Sequence, residues 1–180
     1  MNGLVAPTQG RVRVNGADTV TDGDLVRAQV GFIFQNPQNQ IILPILREDI
    51  ALGLKSRRMK PAAVDAAIAA ILQRFGIEHL AERRAHELSG GELQLAALAS
   101  VLVTEPKVVI LDEPTNQLDL RNRTLVERTL HGLDEHLVVI SHDLDLIADF
   151  DRVLLFHQGT LLQDASPKDA IAAYREIACR

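Results

Sequence analysis

The apolar run Val108-Val-Ile-Leu111 ends in Asp112-Glu113-Pro114, so two consecutive carboxylates follow a stretch with the texture of a strand buried on both faces. In open parallel sheets the ligand crevice lies just beyond the carboxyl ends of the strands. Adjacent carboxylates repel unless a cation joins them, and Mg²⁺ carrying a nucleotide phosphate would supply that charge. By itself the run also reads as a strand entering a turn. A second constellation is Leu88-Ser-Gly-Gly-Glu-Leu-Gln94. Ser89 and Glu92 have the S-x-x-E spacing of a helix capping box. That spacing leaves Gly90 and Gly91 without a reason, and each glycine costs about 1 kcal/mol relative to alanine inside a helix. Bare N–H groups without neighbouring β-carbons suit the close approach of an anion such as a terminal phosphate. Gln35 and His142 also stand just past apolar runs, Gln29–Phe34 and Leu137–Ile140. Taken singly neither is specific, and a histidine in that place is more often a cap or a satisfied core residue.

The elements that must position these residues alternate. Arg11-Val-Arg-Val-Asn-Gly16 has period two, as an edge strand would, whereas Met1–Gly10 reads as the tail of a helix followed by a turn. Pro61 opens a segment in which Val64, Ile68, Ile71, Leu72 and Phe75 recur at helical spacing, and Gly76 closes it. Residues from roughly 45 to 88 carry helix signals and no convincing strand, which points to a compact helical insertion in a single domain spanning 1–180. Beyond Gly91 a helix (about 91–103) leads to the strand Val108–Leu111, and a helix near 122–131 leads to the strand Leu137–Ile140. A short helix near 143–149, strands around 152–156 and 160–163, and a helix from about 167 complete the chain. Buried strands alternating with helices imply an α/β fold with a mostly parallel sheet flanked by helices.

Composition narrows the function classes. The 180 residues hold 19 basic and 24 acidic side chains, a net charge of −5, which disfavours nucleic acid as the main partner. Lys55, Arg57, Arg58 and Lys60 form the densest basic cluster and read as a solvated loop. The one cysteine, Cys179, rules out an intrachain disulfide framework or a cysteine-based metal site. The apolar runs are too short to span a bilayer, so a membrane role would have to pass through a partner. His79, His86, His131, His136 and His157 have no metal-type spacing.

The ordered set Leu-Ser-Gly-Gly-Glu92, Val-Val-Ile-Leu-Asp-Glu-Pro114, Thr115-Asn-Gln-Leu-Asp119 and Val-Ile-Ser-His142-Asp, with Gln35 upstream, resembles the signature motifs of ABC ATPases and covers essentially the whole chain. The resemblance implies a P-loop-type nucleotide-binding fold that uses ATP and Mg²⁺. It implies that Asp112 holds Mg²⁺, that Glu113 is the general base for the attacking water, and that Gln35 senses both while linking the site to the helical subdomain. His142 resembles the switch histidine that contacts the γ-phosphate. Asp119 resembles the aspartate that couples two sites across a dimer. Ser89, Gly90 and Gly91 resemble the signature loop, which serves a nucleotide held by the opposite subunit of a head-to-tail pair.

One part of the family pattern is missing. Phosphoryl transfer in P-loop enzymes uses a glycine-rich loop whose amides and lysine hold the β- and γ-phosphates. None of the 11 glycines is followed by lysine, and Gly53-Leu-Lys-Ser56 has the wrong spacing. The phosphate loop and the first strands are therefore expected upstream of Met1, and residues 1–180 alone are expected to be inactive on ATP. A degenerate subunit that has lost the loop is the other reading.

Gln35-Asn-Pro-Gln-Asn-Gln40, followed by Arg47-Glu-Asp-Ile-Ala-Leu-Gly53, is similar to the corresponding region of energy-coupling-factor importers, which take up vitamins and transition-metal ions. Within that group the biotin type is the nearest resemblance and the cobalt or nickel type the next. The implied partners are a second ATPase subunit, identical or related, a transmembrane coupling protein and a substrate-binding membrane protein. The implied place is the cytoplasmic side of the cell membrane, held peripherally. Ile41, Ile42, Leu43, Ile45 and Leu46 around Pro44 read as a dock for such a partner or as packing under the helix from Pro61. Two rivals remain: a non-catalytic regulatory subunit of the same type, and a chromosome-maintenance or DNA-repair ABC ATPase. The second rival would need a long coiled coil where only 53 residues separate Gln35 from Ser89.

Overall fold

The hairpin that opens the chain is set by two residues. Asn15 and Gly16 both adopt positive φ, +49° and +85°, which is what a two-residue type I′ turn demands. They join β1 (Arg13–Val14) to β2 (Ala17–Asp18) as an antiparallel pair. The sequence reading had only a lone edge strand here, although Asn-Gly between apolar residues is the strongest short-range hairpin signal. No helix forms in residues 2–10, where Gly3 and Gly10 take φ of +77° and +78° and Pro7 lies between them. A helix of five residues, α1 (Gly23–Arg27), follows and had no counterpart in the sequence reading.

The computed structural model describes residues 2–178; Met1 and Cys179 lie outside the described residues. The part up to Ile140 is built on a parallel sheet of β3 (Val30–Ile33), β4 (Val108–Asp112) and β5 (His136–Ile140), in the order β3-β4-β5. The middle strand is the most apolar because both its faces are covered: Val109, Ile110 and Leu111 are buried. Ala17, Val26 and Val30 pack with Ile110 on one side, joined by Val14, Phe32, Val108 and Val138.

Between β3 and β4 lie α2 (Leu46–Leu54), α3 (Pro61–Phe75) and α4 (Gly90–Leu102), with short 3-10 turns between them. Helix α3 starts at Pro61 and ends at Gly76, whose φ of +65° is the left-handed C-cap anticipated from sequence. Helix α4 is buried over most of its circumference, Leu93 through Ala99, as a helix clamped between sheet and neighbouring helices must be. Helix α5 (Leu120–His131) leads into β5.

Two compact units result, one up to Ile140 and one from Ser141 onward. The second contains α6 (Leu144–Ala148), β6 (Val153–His157), β7 (Thr160–Ala165) and α7 (Pro167–Ala178). Strands β6 and β7 pair antiparallel with a bulge at Leu155/Phe156, so they do not extend the parallel pattern. Helix α7 packs on both strands, while Leu154, Phe156, Leu161 and Leu162 stay exposed. Among the described residues no helix is long and apolar enough to cross a membrane.

Candidate functional site

Register brings three of the residues chosen from sequence, Gln35, Asp112 and Glu113, to one edge. Ile33 pairs with Leu111 and Asp112 with Ile140, so the parallel strands β3 and β4 run out at the same end of the sheet. Gln35 follows two residues past β3, and Glu113 one residue past β4. This is the carboxyl-end edge where ligands bind in open α/β sheets. Glu113 turns sharply there: its φ is +47°, and its N–H donates to the carbonyl of Ile140 at 2.8 Å. A non-glycine residue in the left-handed region costs of order 1–2 kcal/mol, and such strain collects at functional sites. Asp112 and Glu113 are half-buried, and Thr115 beyond them is buried.

Gln35 itself is exposed in a loop cinched at its base. The Phe34 N–H donates to Gln40 Oε1 at 3.3 Å, and Asn36 Oδ1 accepts from the Gln38 N–H at 3.0 Å to start a 3-10 turn at Pro37.

The start of α4 is a complete capping box. The Glu92 N–H donates to Ser89 Oγ at 3.4 Å and the Ser89 N–H donates to Glu92 Oε2 at 2.8 Å. That donation from the Ser89 backbone, helped by its hydroxyl, holds the Glu92 carboxyl below the usual glutamate range. The two glycines separate in role. A β-carbon on Gly91 would sit 2.2 Å from Asn122 Oδ1 and 3.0 Å from Asn122 Cβ, so helix packing is by itself a reason for a glycine here. Gly90 is exposed, and a β-carbon there would meet only Leu118, at 3.4 Å. Gly90 therefore leaves its backbone open to close approach, whereas Gly91 also has an internal reason, its contact with Asn122.

Asn122 is itself held by Asp119. Asp119 caps α5 by accepting from the Asn122 N–H at 2.8 Å and from Asn122 Nδ2 at 3.1 Å. Asp119, Asn122 and Gly91 thus form one contact chain between the two helix starts. His142 is exposed two residues past β5 and belongs to the second unit, next to Asp143, whose Oδ1 accepts from the Leu146 N–H to cap α6.

Asp49 and Gln94 are buried polar residues to which the sequence reading gave no role. Asp49 is 5% exposed on α2, with Oδ1 accepting from the Ile42 and Leu43 N–H groups at 2.7 and 3.0 Å and Oδ2 accepting from the Ser100 hydroxyl at 2.9 Å. The signal was available: Leu46, Asp49, Ile50, Gly53 and Leu54 form one helical stripe, and a carboxylate on an apolar stripe needs partners. Gln94 is 2% exposed on α4, and its Nε2 meets no acceptor among the described residues. Of the apolar cluster around Pro44, Leu46 is fully buried and belongs to the core, while Ile42 is 75% exposed. Within the basic cluster, Arg57 donates to the Thr104 carbonyl and pairs with Glu105.

A parallel sheet with a carboxylate pair at its carboxyl edge, in a chain that also opens a helix on two glycines, has the parts of a nucleoside-triphosphate-binding protein. The chain belongs to the ABC transporter family, whose pattern matches residues 1–116. Over 178 residues it is 62% identical to the biotin transport ATP-binding protein BioM of Rhizobium etli, covering 99% of this chain and 79% of that protein. Among solved structures it is similar to cbiO1 from Clostridium perfringens, part of the ABC transporter complex cbiONQ (TM-score 0.85, 29% identity, 99% of this chain and 76% of that one). It is also similar to the dimeric post-hydrolysis state of the ATP-binding cassette MJ0796 bound to ADP and Pi (TM-score 0.79, 25% identity, 92% of this chain and 77% of that one).

Proposed function

We propose that this chain belongs to the ATP-hydrolysing subunit that drives import of a vitamin, biotin before others, through a membrane complex of the energy-coupling-factor type. The observation that carries the reading is the 62% identity to a biotin transport ATP-binding protein across 99% of the chain. The chemistry present agrees with it, because the half-buried Asp112–Glu113 pair, with Glu113 in the left-handed region, stands at the sheet edge where a phosphate would lie.

In this reading Glu113 takes a proton from the water that attacks the γ-phosphate, and Gln35 orients that water from the neighbouring strand end. Asp112 supplies a hard oxygen donor for Mg²⁺. Among the described residues no group of three or more His, Cys, Asp or Glu gathers into a cage. That fits an ion which binds through one or two carboxylates together with substrate phosphates. When bound, Mg²⁺ would neutralise charge on the transferring phosphoryl group. His142 takes the role of the switch histidine for the γ-phosphate. Ser89 and Gly90 offer amides to the nucleotide of a second subunit in a head-to-tail dimer, and Asp119, through Asn122, relays the state of that interface. The helices within residues 45–88 form the helical subdomain, and the exposed Ile42 beside Gln35's loop faces a transmembrane coupling protein. The subunit then sits peripherally on the cytoplasmic side of the membrane.

The test is uptake. The full-length protein, co-expressed with its membrane partners in cells lacking their own biotin uptake, is assayed with labelled biotin, Co²⁺ and Ni²⁺. Biotin accumulation that disappears with Glu113→Gln is expected. Accumulation of a metal ion instead would overturn the biotin assignment, and accumulation of none would overturn the importer reading.

A further inference from the structure

We propose that Asp49 is a positioning residue that ties the loop carrying Gln35 to the helix opened by Ser89. This rests on the reading of Gln35 and Ser89 given above. The carboxylate is 5% exposed, and the three groups that donate to it are neutral: the Ile42 and Leu43 amides and the Ser100 hydroxyl. A buried charge held by hydrogen bonds alone is costly if any of them is lost, so the geometry around it is stiff.

The bonds are divided between two bodies. Oδ1 takes both amides from the loop that leads away from Gln35, and Oδ2 takes the hydroxyl from the third turn of α4. One turn further along α2, a β-carbon on Gly53 would lie 3.2 Å from Thr104 Cγ2 and 3.3 Å from the Ser100 carbonyl. Helices α2 and α4 therefore meet closely on the same stripe that bears Asp49, with Leu46, Ile50 and Leu54 buried around it. The Gln35 loop is fastened at its other end too, where Gln40 closes onto Phe34. A displacement of Gln35 has two fixed points to work against, and one of them is the helix whose first turn presents Ser89 and Gly90. Asp49 passes the setting of the loop to that helix start.

The full-length protein, assembled with its membrane partners, allows the test. Ser100→Ala cuts only the bond to α4. It should lower kcat for ATP by at least about fivefold, the lower end of ordinary coupling between sites, with KM for ATP unchanged. Ser100→Thr, which keeps the hydroxyl, should restore kcat. In Asp49→Asn the Ile42 and Leu43 amides should exchange hydrogen at least about tenfold faster than in the parent, as expected when a charged acceptor is replaced by a neutral one. Parent-like kcat in Ser100→Ala, failure of Ser100→Thr to restore it, or unchanged exchange at Ile42 and Leu43 would each overturn the proposal. If the parent protein itself does not hydrolyse ATP, the functional reading fails, and the exchange measurement still decides whether the latch exists.

Discussion

The strand end at Asp112–Glu113 and the helix start at Ser89–Gly91 are built on opposite terms. At the strand end the backbone is forced: Glu113 takes a φ of +47° immediately after a buried parallel strand, and its N–H is held by the Ile140 carbonyl of β5. At the helix start everything is relaxed and locally satisfied, with a reciprocal capping box and a glycine that nests against Asn122. The contrast separates two ways of making a phosphate site. One uses strain to hold acidic groups at a sheet edge, and the other uses ordinary helix capping to hold N–H groups in place. Changes at the first should cost chemistry, and changes at the second should cost stability where the residue packs inside the fold, as Gly91 does, and chemistry where it is exposed, as Gly90 is.

The largest effect should come from Asp112→Asn in the full-length protein. Hydrolysis should fall by about 100-fold or more, and the Mg²⁺ concentration giving half-maximal rate should rise at least about tenfold. Thermal unfolding should barely move. A Mg²⁺ titration of the steady-state rate beside a melting curve reads both, and a parent-like Mg²⁺ dependence would break the strand-end half of the comparison.

Next in size is Gly91→Ala. Its methyl meets Asn122 Oδ1 at 2.2 Å, so stability should drop by about 2 kcal/mol, a fall in Tm of roughly 4–8 °C. Gly90→Ala sharpens the comparison, because Leu118 at 3.4 Å leaves room for the methyl. Tm should hold or rise slightly, alanine being the better helix former by up to about 1 kcal/mol, while ATPase activity falls. Calorimetry on the pair decides it, and equal losses of stability in both would show that neither glycine is kept for a ligand.

The smallest effect is the pH dependence of the cap. The folded Glu92 carboxyl lies below its usual range because the Ser89 N–H donates to it. A depressed carboxyl contributes stability that is present above the unfolded value, about 4.3, and is lost as pH falls through the folded value. The gap in Tm between the parent and Glu92→Gln should therefore be widest near neutral pH and close in acid. A gap independent of pH would remove the charged cap from the account.

Much of this was legible in sequence for physical reasons. Apolar runs with turn residues at their ends gave β3, β4 and β5, and Pro61 and Gly76 gave α3 its boundaries, because these signals are local. The candidate residues stood out because each follows a buried strand or opens a helix. What stayed hidden depends on contacts distant in sequence. Asn122 packs against Gly91 from another helix, and Ser100 closes on Asp49 from 51 positions away, so neither partner is named by local pattern. The pairing of β6 with β7 was also out of reach of periodicity, since two short strands read alike whether they run parallel or antiparallel.

The account stands most directly on Glu113 as the base that activates water. In the full-length protein, Glu113→Gln keeps the side-chain volume and a side chain in the left-handed backbone position while removing the proton acceptor. ATP affinity by calorimetry should stay within about threefold of the parent, because a lost proton acceptor does not alter ground-state binding. Single-turnover hydrolysis should fall by about 100-fold or more. Hydrolysis at the parental rate with binding intact would contradict the assignment of the strand end as the site of chemistry.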